Sequence, residues 1–173
     1  WIDYRHIFGG HYFDCDGNGD KCDDSLQKIQ KITAGKNFTC ALFNNGKVSC
    51  WGSNGWGQLG MAANKIKESY IPRCIDGISN AREISADSNH ICIITSGSKV
   101  KCWGKNEYGQ LGNGEMGDNK YSYVPQDVSI DGKPTLIAAG KNHTCAWAIK
   151  DSEKTVYCWG DNRNGQLGIS ASS

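Results

Sequence analysis

The sequence predicts an all-β protein built from about three four-stranded units braced by cross-strand disulfides. Three observations carry this. A segment recurs three times with a period of about 52 to 56 residues. Each copy holds two cysteines that fall opposite one another when its hairpin is laid out. Finally, 22 glycines against 3 prolines, with 6 Trp and 7 Tyr, suit short strands joined by many tight turns.

The copies align residue by residue. Ile32-Thr33-Ala34-Gly35-Lys36-Asn37-Phe38-Thr39-Cys40 matches Ile84 to Cys92 and Ile137 to Cys145. Each copy continues to Val-x-Cys-Trp-Gly, ending at Gly52, Gly104 and Gly160, and then to Gly-Gln-Leu-Gly at 57–60, 109–112 and 165–168. A further strand follows near Tyr70-Ile71 and Tyr123-Val124. Such a unit cannot bury both faces alone and must stack on neighbours. The divisions are 27–78, 79–133 and 134–173, the last lacking an outer strand, after a degenerate partial copy over 1–26.

Strand register follows from turn chemistry. Asn44-Asn45-Gly46 fits a three-residue hairpin with Gly46 in the left-handed position, which pairs Leu42 with Val48 and Cys40 with Cys50. Centring the second hairpin on Gly97 sets Cys92 opposite Cys102. A four-residue loop, Lys150 to Glu153, sets Cys145 opposite Cys158. Directly opposed residues lie about 4.5 Å apart at Cα, near the lower limit for a disulfide. Three hairpin bridges are therefore expected, with reduced thiols packed as small hydrophobes the competing state. Cys15–Cys22 would make a fourth bridge. Cys74 is then left over, as a free thiol or an intermolecular bond.

The pattern Ala-Gly-x-x-His-Thr-Cys-Ala, Val-x-Cys-Trp-Gly and Asn-x-x-Gly-Gln-Leu-Gly resembles the regulator of chromosome condensation repeat over residues 27–173. That resemblance implies four-stranded blades around a central axis, with seven the usual closed ring, so three copies make a partial β-propeller. The cysteine-paired version is more similar to secreted members than to the nuclear exchange factor. Asp87 in place of the glycine, Phe38 in place of the histidine and Ile91 in the middle sequon depart from the pattern. Trp51, Trp103 and Trp159, after each second cysteine, are expected to pack between blades.

The N-terminal stretch is a different device. Asp14, Asp16, Asn18 and Asp20, closed by Asp23 or Asp24, alternate oxygen donors with glycine as hard cations require. It resembles the calcium loops of thrombospondin type 3 repeats, and less closely an EF-hand, whose closing glutamate is replaced by Ser25. Calcium is thus the one candidate cofactor. A solvated acidic turn tied by Cys15 and Cys22 is the alternative.

Bulk composition narrows the function. The formal net charge is +1, so no overall field draws nucleic acid or an anionic membrane. No apolar run reaches the roughly 18 residues of a spanning helix. Trp1 opens the sequence without a signal-like region, so the chain reads as processed or fragmentary. Nine cysteines and the sequons at Asn37 and Asn142 point to a secreted, extracellular or cell-surface glycoprotein. No nucleophile elbow, P-loop or dinucleotide fingerprint occurs, so an enzyme is not expected. The first functional reading is an extracellular structural or assembly module that self-associates through unpaired blade edges. The second is a recognition module binding a protein or glycan through blade-connecting loops. Trp56 and Tyr108, equivalent in successive glycine-rich corners, are candidate partner contacts along with Cys74. Inter-blade packing is the competing role of the two rings.

Overall fold

The computed structural model describes residues 28–170. Among them are eleven strands in three antiparallel sheets. The first sheet runs β1 (Ile29–Ala34), β2 (Phe38–Phe43), β3 (Val48–Ser53), β4 (Glu68–Cys74), each paired with the next. The second runs β5 (Ala81–Asp87), β6 (His90–Thr95), β7 (Val100–Lys105), β8 (Tyr121–Val128) in the same order. The third holds β9 (Lys133–Ala139), β10 (His143–Lys150) and β11 (Glu153–Gly160). These are three consecutive blades, with the inner strands β1, β5 and β9 packed side by side.

Register is as the hairpins require. Leu42 pairs with Val48, and Cys40–Cys50, Cys92–Cys102 and Cys145–Cys158 face one another as disulfides, each 4.1 Å apart at Cα. Gly46 takes φ 79° as the three-residue turn demands. The equivalent residue of the second turn is Ser98, at φ 59°, and not Gly97. The third hairpin is tighter than a four-residue loop: Lys150 pairs with Glu153, and Asp151 and Ser152 turn the chain at φ 48° and 72°. Cys74 is disulfide-bonded, which removes it as a free thiol. The other six described cysteines pair among themselves, so its partner lies outside the described residues. Cys15, Cys22 and the acidic residues Asp14 to Asp24 also lie outside them.

The glycine-rich corner is held by two amides. In the first blade Asn54 Oδ1 accepts the Leu59 N–H at 2.9 Å, and its Nδ2 donates to Met61 O and Ile66 O at 3.0 and 2.8 Å. Gln58 Oε1 accepts the Trp56 N–H at 2.8 Å. Asn106 with Gln110, and Asn162 with Gln166, repeat the arrangement. Asn54 and Asn106 are buried, so these bonds satisfy groups that water cannot reach.

Blades join through the corners and inner strands. The Trp103 indole donates to Gln58 O at 3.0 Å and that of Trp159 to Gln110 O at 2.9 Å, each reaching the preceding corner. Gly57 lies so close to Tyr123 of the next blade that an added Cβ would approach the tyrosine Cβ to 2.7 Å. Thr33 Oγ1 accepts the Ala86 N–H at 2.9 Å, and Ser85 Oγ the Ala139 N–H at 3.0 Å. Leu42, Val48 and Leu59 of the first blade meet Ile84, Ile91 and Ile93 of the second in one apolar cluster. The second and third blades share another, with Ile94, Val100 and Leu111 against Ile137 and Ala146. Burying each such side chain contributes about 1.5–3 kcal/mol. On the far side of the third blade, Leu136, Trp147 and Val156 form one cross-strand row. Val156 is 67% exposed there, whereas its equivalents Val48 and Val100 are buried.

Candidate functional site

Three equivalent turns from the three blades converge on one side of the molecule. They are the β1–β2 turn with Lys36, the β5–β6 turn with Ser88 and Asn89, and the β9–β10 turn with Lys141 and Asn142. With Lys105, Tyr108, Arg163 and Asp87 they line a cleft of about 640 Å³. The middle turn differs from the others because Asp87 occupies the glycine position. Gly35 and Gly140 lie under the rings of Phe38 and His143, where an added Cβ would come within 2.0 and 2.2 Å. Asp87 instead continues β5 in register with His90, and Ser88 turns the chain at φ 45°.

One wall of the cleft is a ladder of cations and rings that crosses the blades. The Lys105 ammonium lies 4.7 Å from the ring centre of Trp56 and 6.0 Å from that of Tyr108. The Arg163 guanidinium lies 4.5 Å from the Tyr108 centre. Cations over ring faces are attracted by the ring quadrupole. Both cations are also paired: Lys105 with Glu107, and Arg163 with Asp161 through bonds of 2.9 and 2.8 Å. The Arg163 guanidinium holds the Asp161 carboxyl down to about 2. By contrast, the ammonium groups of Lys36 and Lys141 have no ion pair among the described residues, and both residues are exposed.

The two rings singled out from sequence are thus joined by a lysine. Trp56 also meets Tyr121 edge-on, with centres 6.5 Å apart at 76°. The third position in the series, Asn164, carries no ring. Of the two sequons, Asn37 is exposed, whereas Asn142 is half-buried, lines the cleft and accepts the Asp161 N–H at its backbone carbonyl. Sequence reasoning passed over Lys105 and Arg163, since neither recurs at its repeat position. Lys36 and Lys141 carried a signal, because both precede the sequon asparagine. Among the described residues no group of three or more His, Cys, Asp or Glu is gathered as a metal site, and no helix is long and apolar enough to cross a membrane.

Comparison with known proteins follows the repeat. A family model described as the regulator of chromosome condensation (RCC1) repeat matches residues 45–94 and 99–147, and a second model of the same description matches 29–58, 82–110 and 135–166. The chain is 33% identical over 147 residues to a human protein named probable E3 ubiquitin-protein ligase HERC6, covering 82% of this chain and 14% of that one. It superposes on Prp20p from Saccharomyces cerevisiae with a TM-score of 0.71 and 25% identity, covering 84% of this chain and 33% of Prp20p. The ectodomain of the receptor kinase CR4 from Physcomitrella patens is similar at a TM-score of 0.52 and 26% identity, over 79% of this chain and 30% of that one.

Proposed function

The chain belongs to the regulator of chromosome condensation (RCC1) repeat family, and from that premise we propose that it is a non-catalytic protein-recognition module. The observation that supports this reading is the cleft to which all three blades contribute. Prp20p is described with binding to Gsp1p and histones, so a protein partner fits the repeat. A protein is favoured over a glycan because Trp56 and Tyr108 each carry a cation on a ring face that a sugar would need for stacking. We extend the proposal to an extracellular setting, with Asn37 glycosylated and calcium in the 14–24 loop. The three hairpin disulfides support that setting, since such bridges persist in oxidising compartments.

Affinity capture from the native source, read by mass spectrometry, tests recognition. A protein retained by the wild-type chain and lost from a Tyr108→Ala/Arg163→Ala variant is the expected result. Retention of nothing above a scrambled-loop control, or equal retention by the variant, would overturn it.

A second reading is association through a blade face, and the exposed Leu136 and Val156, which flank the half-buried Trp147, favour it. Ile94 and Val100, the equivalents of Trp147 and Val156, are buried by the second blade against the third, so the occupant of this face is a further blade of the same kind. Sedimentation of the wild type and of Val156→Asp distinguishes self-association, which the substitution should abolish, from a monomer that it leaves unchanged.

A further inference from the structure

We propose that the three-blade cleft binds an acidic stretch of a partner polypeptide, with Lys36 and Lys141 meeting its carboxylates. This rests on the recognition reading above and names the ligand's chemistry. Four cations and one carboxylate line the cleft, in a protein whose formal net charge is only +1. With Glu107 and Asp161 counted beside the cations they pair, the uncompensated positive charge of the cleft lies at Lys36 and Lys141. Lys105 and Arg163 are already neutralised by Glu107 and Asp161 and held over aromatic rings, so they form a fixed wall. Lys36 and Lys141 stand at equivalent positions of the first and third blades, and their charges meet no carboxylate within the described residues. Between them, the second blade places Ser88 and Asn89, which can hydrogen-bond a peptide backbone, and the single carboxylate of Asp87. Such convergent polar groups orient a ligand. Asp87 repels an anion at the middle of the cleft and steers carboxylates toward its two sides.

A nucleic acid is disfavoured by the same charges. Polyphosphate binding needs a continuous cationic track, whereas Asp87, Glu107 and Asp161 interrupt this one. A cleft of about 640 Å³ suits a few residues of extended peptide.

The test uses fluorescein-labelled hexaglutamate, hexalysine and a 12-base-pair DNA duplex as probes, with binding to the whole chain followed by fluorescence anisotropy. Hexaglutamate should bind about tenfold or more tighter than either other probe and weaken with added salt. Lys36→Ala/Lys141→Ala should weaken it by about tenfold, and Asp87→Asn should tighten it by roughly twofold to fivefold. Lys65→Ala/Lys67→Ala removes the same charge elsewhere and should leave it within about twofold. Thermal melts of each variant confirm that the fold is retained. Equal weakening by both lysine pairs, no preference over hexalysine, or tighter binding of the duplex would overturn the proposal. If a captured partner still binds Lys36→Ala/Lys141→Ala fully, the acidic-ligand inference falls while the recognition reading stands.

Discussion

The His90 ring of the second blade hydrogen-bonds Thr144 of the third, with 2.9 Å between Nε2 and Oγ1 and both residues fully buried. Thr144 Oγ1 donates its one proton to Gln110 O at 3.0 Å, so the histidine is the donor through Nε2–H. Nδ1 is left as a buried acceptor with no partner. Burial, aided by the charge of nearby His143, lowers the His90 pKa from 6.5 to about 4.

Stability should therefore fall in acid. Between pH 6.5 and about 4 the unfolded chain holds a proton at position 90 that the folded chain does not. The contribution of neutral His90 is complete above pH 6.5 and is lost by roughly 3 kcal/mol as the pH falls to about 4. Denaturant titrations across that interval measure it. His90→Phe, which installs the residue type found at the equivalent Phe38, should flatten the dependence, and an unchanged slope would reject this account.

Trp103→Phe keeps a ring but removes the bond to Gln58 O across the first blade junction. Leaving that carbonyl unpaired in a buried corner should cost about 1–3 kcal/mol. Urea unfolding measures the loss, and a variant as stable as the wild type would mean that another donor takes the carbonyl.

Non-reducing peptide mapping should recover Cys40–Cys50, Cys92–Cys102 and Cys145–Cys158. Replacing the buried Cys92 and Cys102 together by alanine should destabilise the chain by roughly 2–4 kcal/mol. Mass spectrometry that finds Cys40 joined outside its own hairpin would contradict the register.

Asn106→Ala strips the second corner of one acceptor and two donors in a buried setting and should cost about 2–3 kcal/mol. Asn162→Ala removes equivalent bonds where water can replace them and should cost less than about 1 kcal/mol. Thermal melts of the pair test this, and equal losses would show that exposure does not matter there.

Much of the fold was legible because the repeat made every inference three times over. Cys40 opposite Cys50 follows from counting through Asn44-Asn45-Gly46, since hairpin geometry is local. The third turn misled by one pair because Asp151 and Ser152 both adopt positive φ, which their residue types do not announce. For Cys74 the sequence left a free thiol and a bond open, because no repeat of the pattern supplies it with a hairpin partner, and the structure has it bonded. The cleft was less visible still. Trp56 and Tyr108 were noticed as a series, but Lys105 and Arg163 join them from non-repeating positions. Ring and cation meet only after blades stack, so their partnership belongs to tertiary structure alone.

The hairpin bridges span only 10, 10 and 13 residues of sequence, which bears on how the chain is made. During synthesis each partner leaves the ribosome within seconds of the other, before the cysteines of the next repeat exist to compete. Order of emergence then favours pairing within each hairpin, and the bond of Cys74 is the one that needs a partner from beyond a hairpin. Each copy can lock its central strands before a neighbour arrives, so duplicating a repeat lengthens the protein without enlarging its oxidative-folding problem.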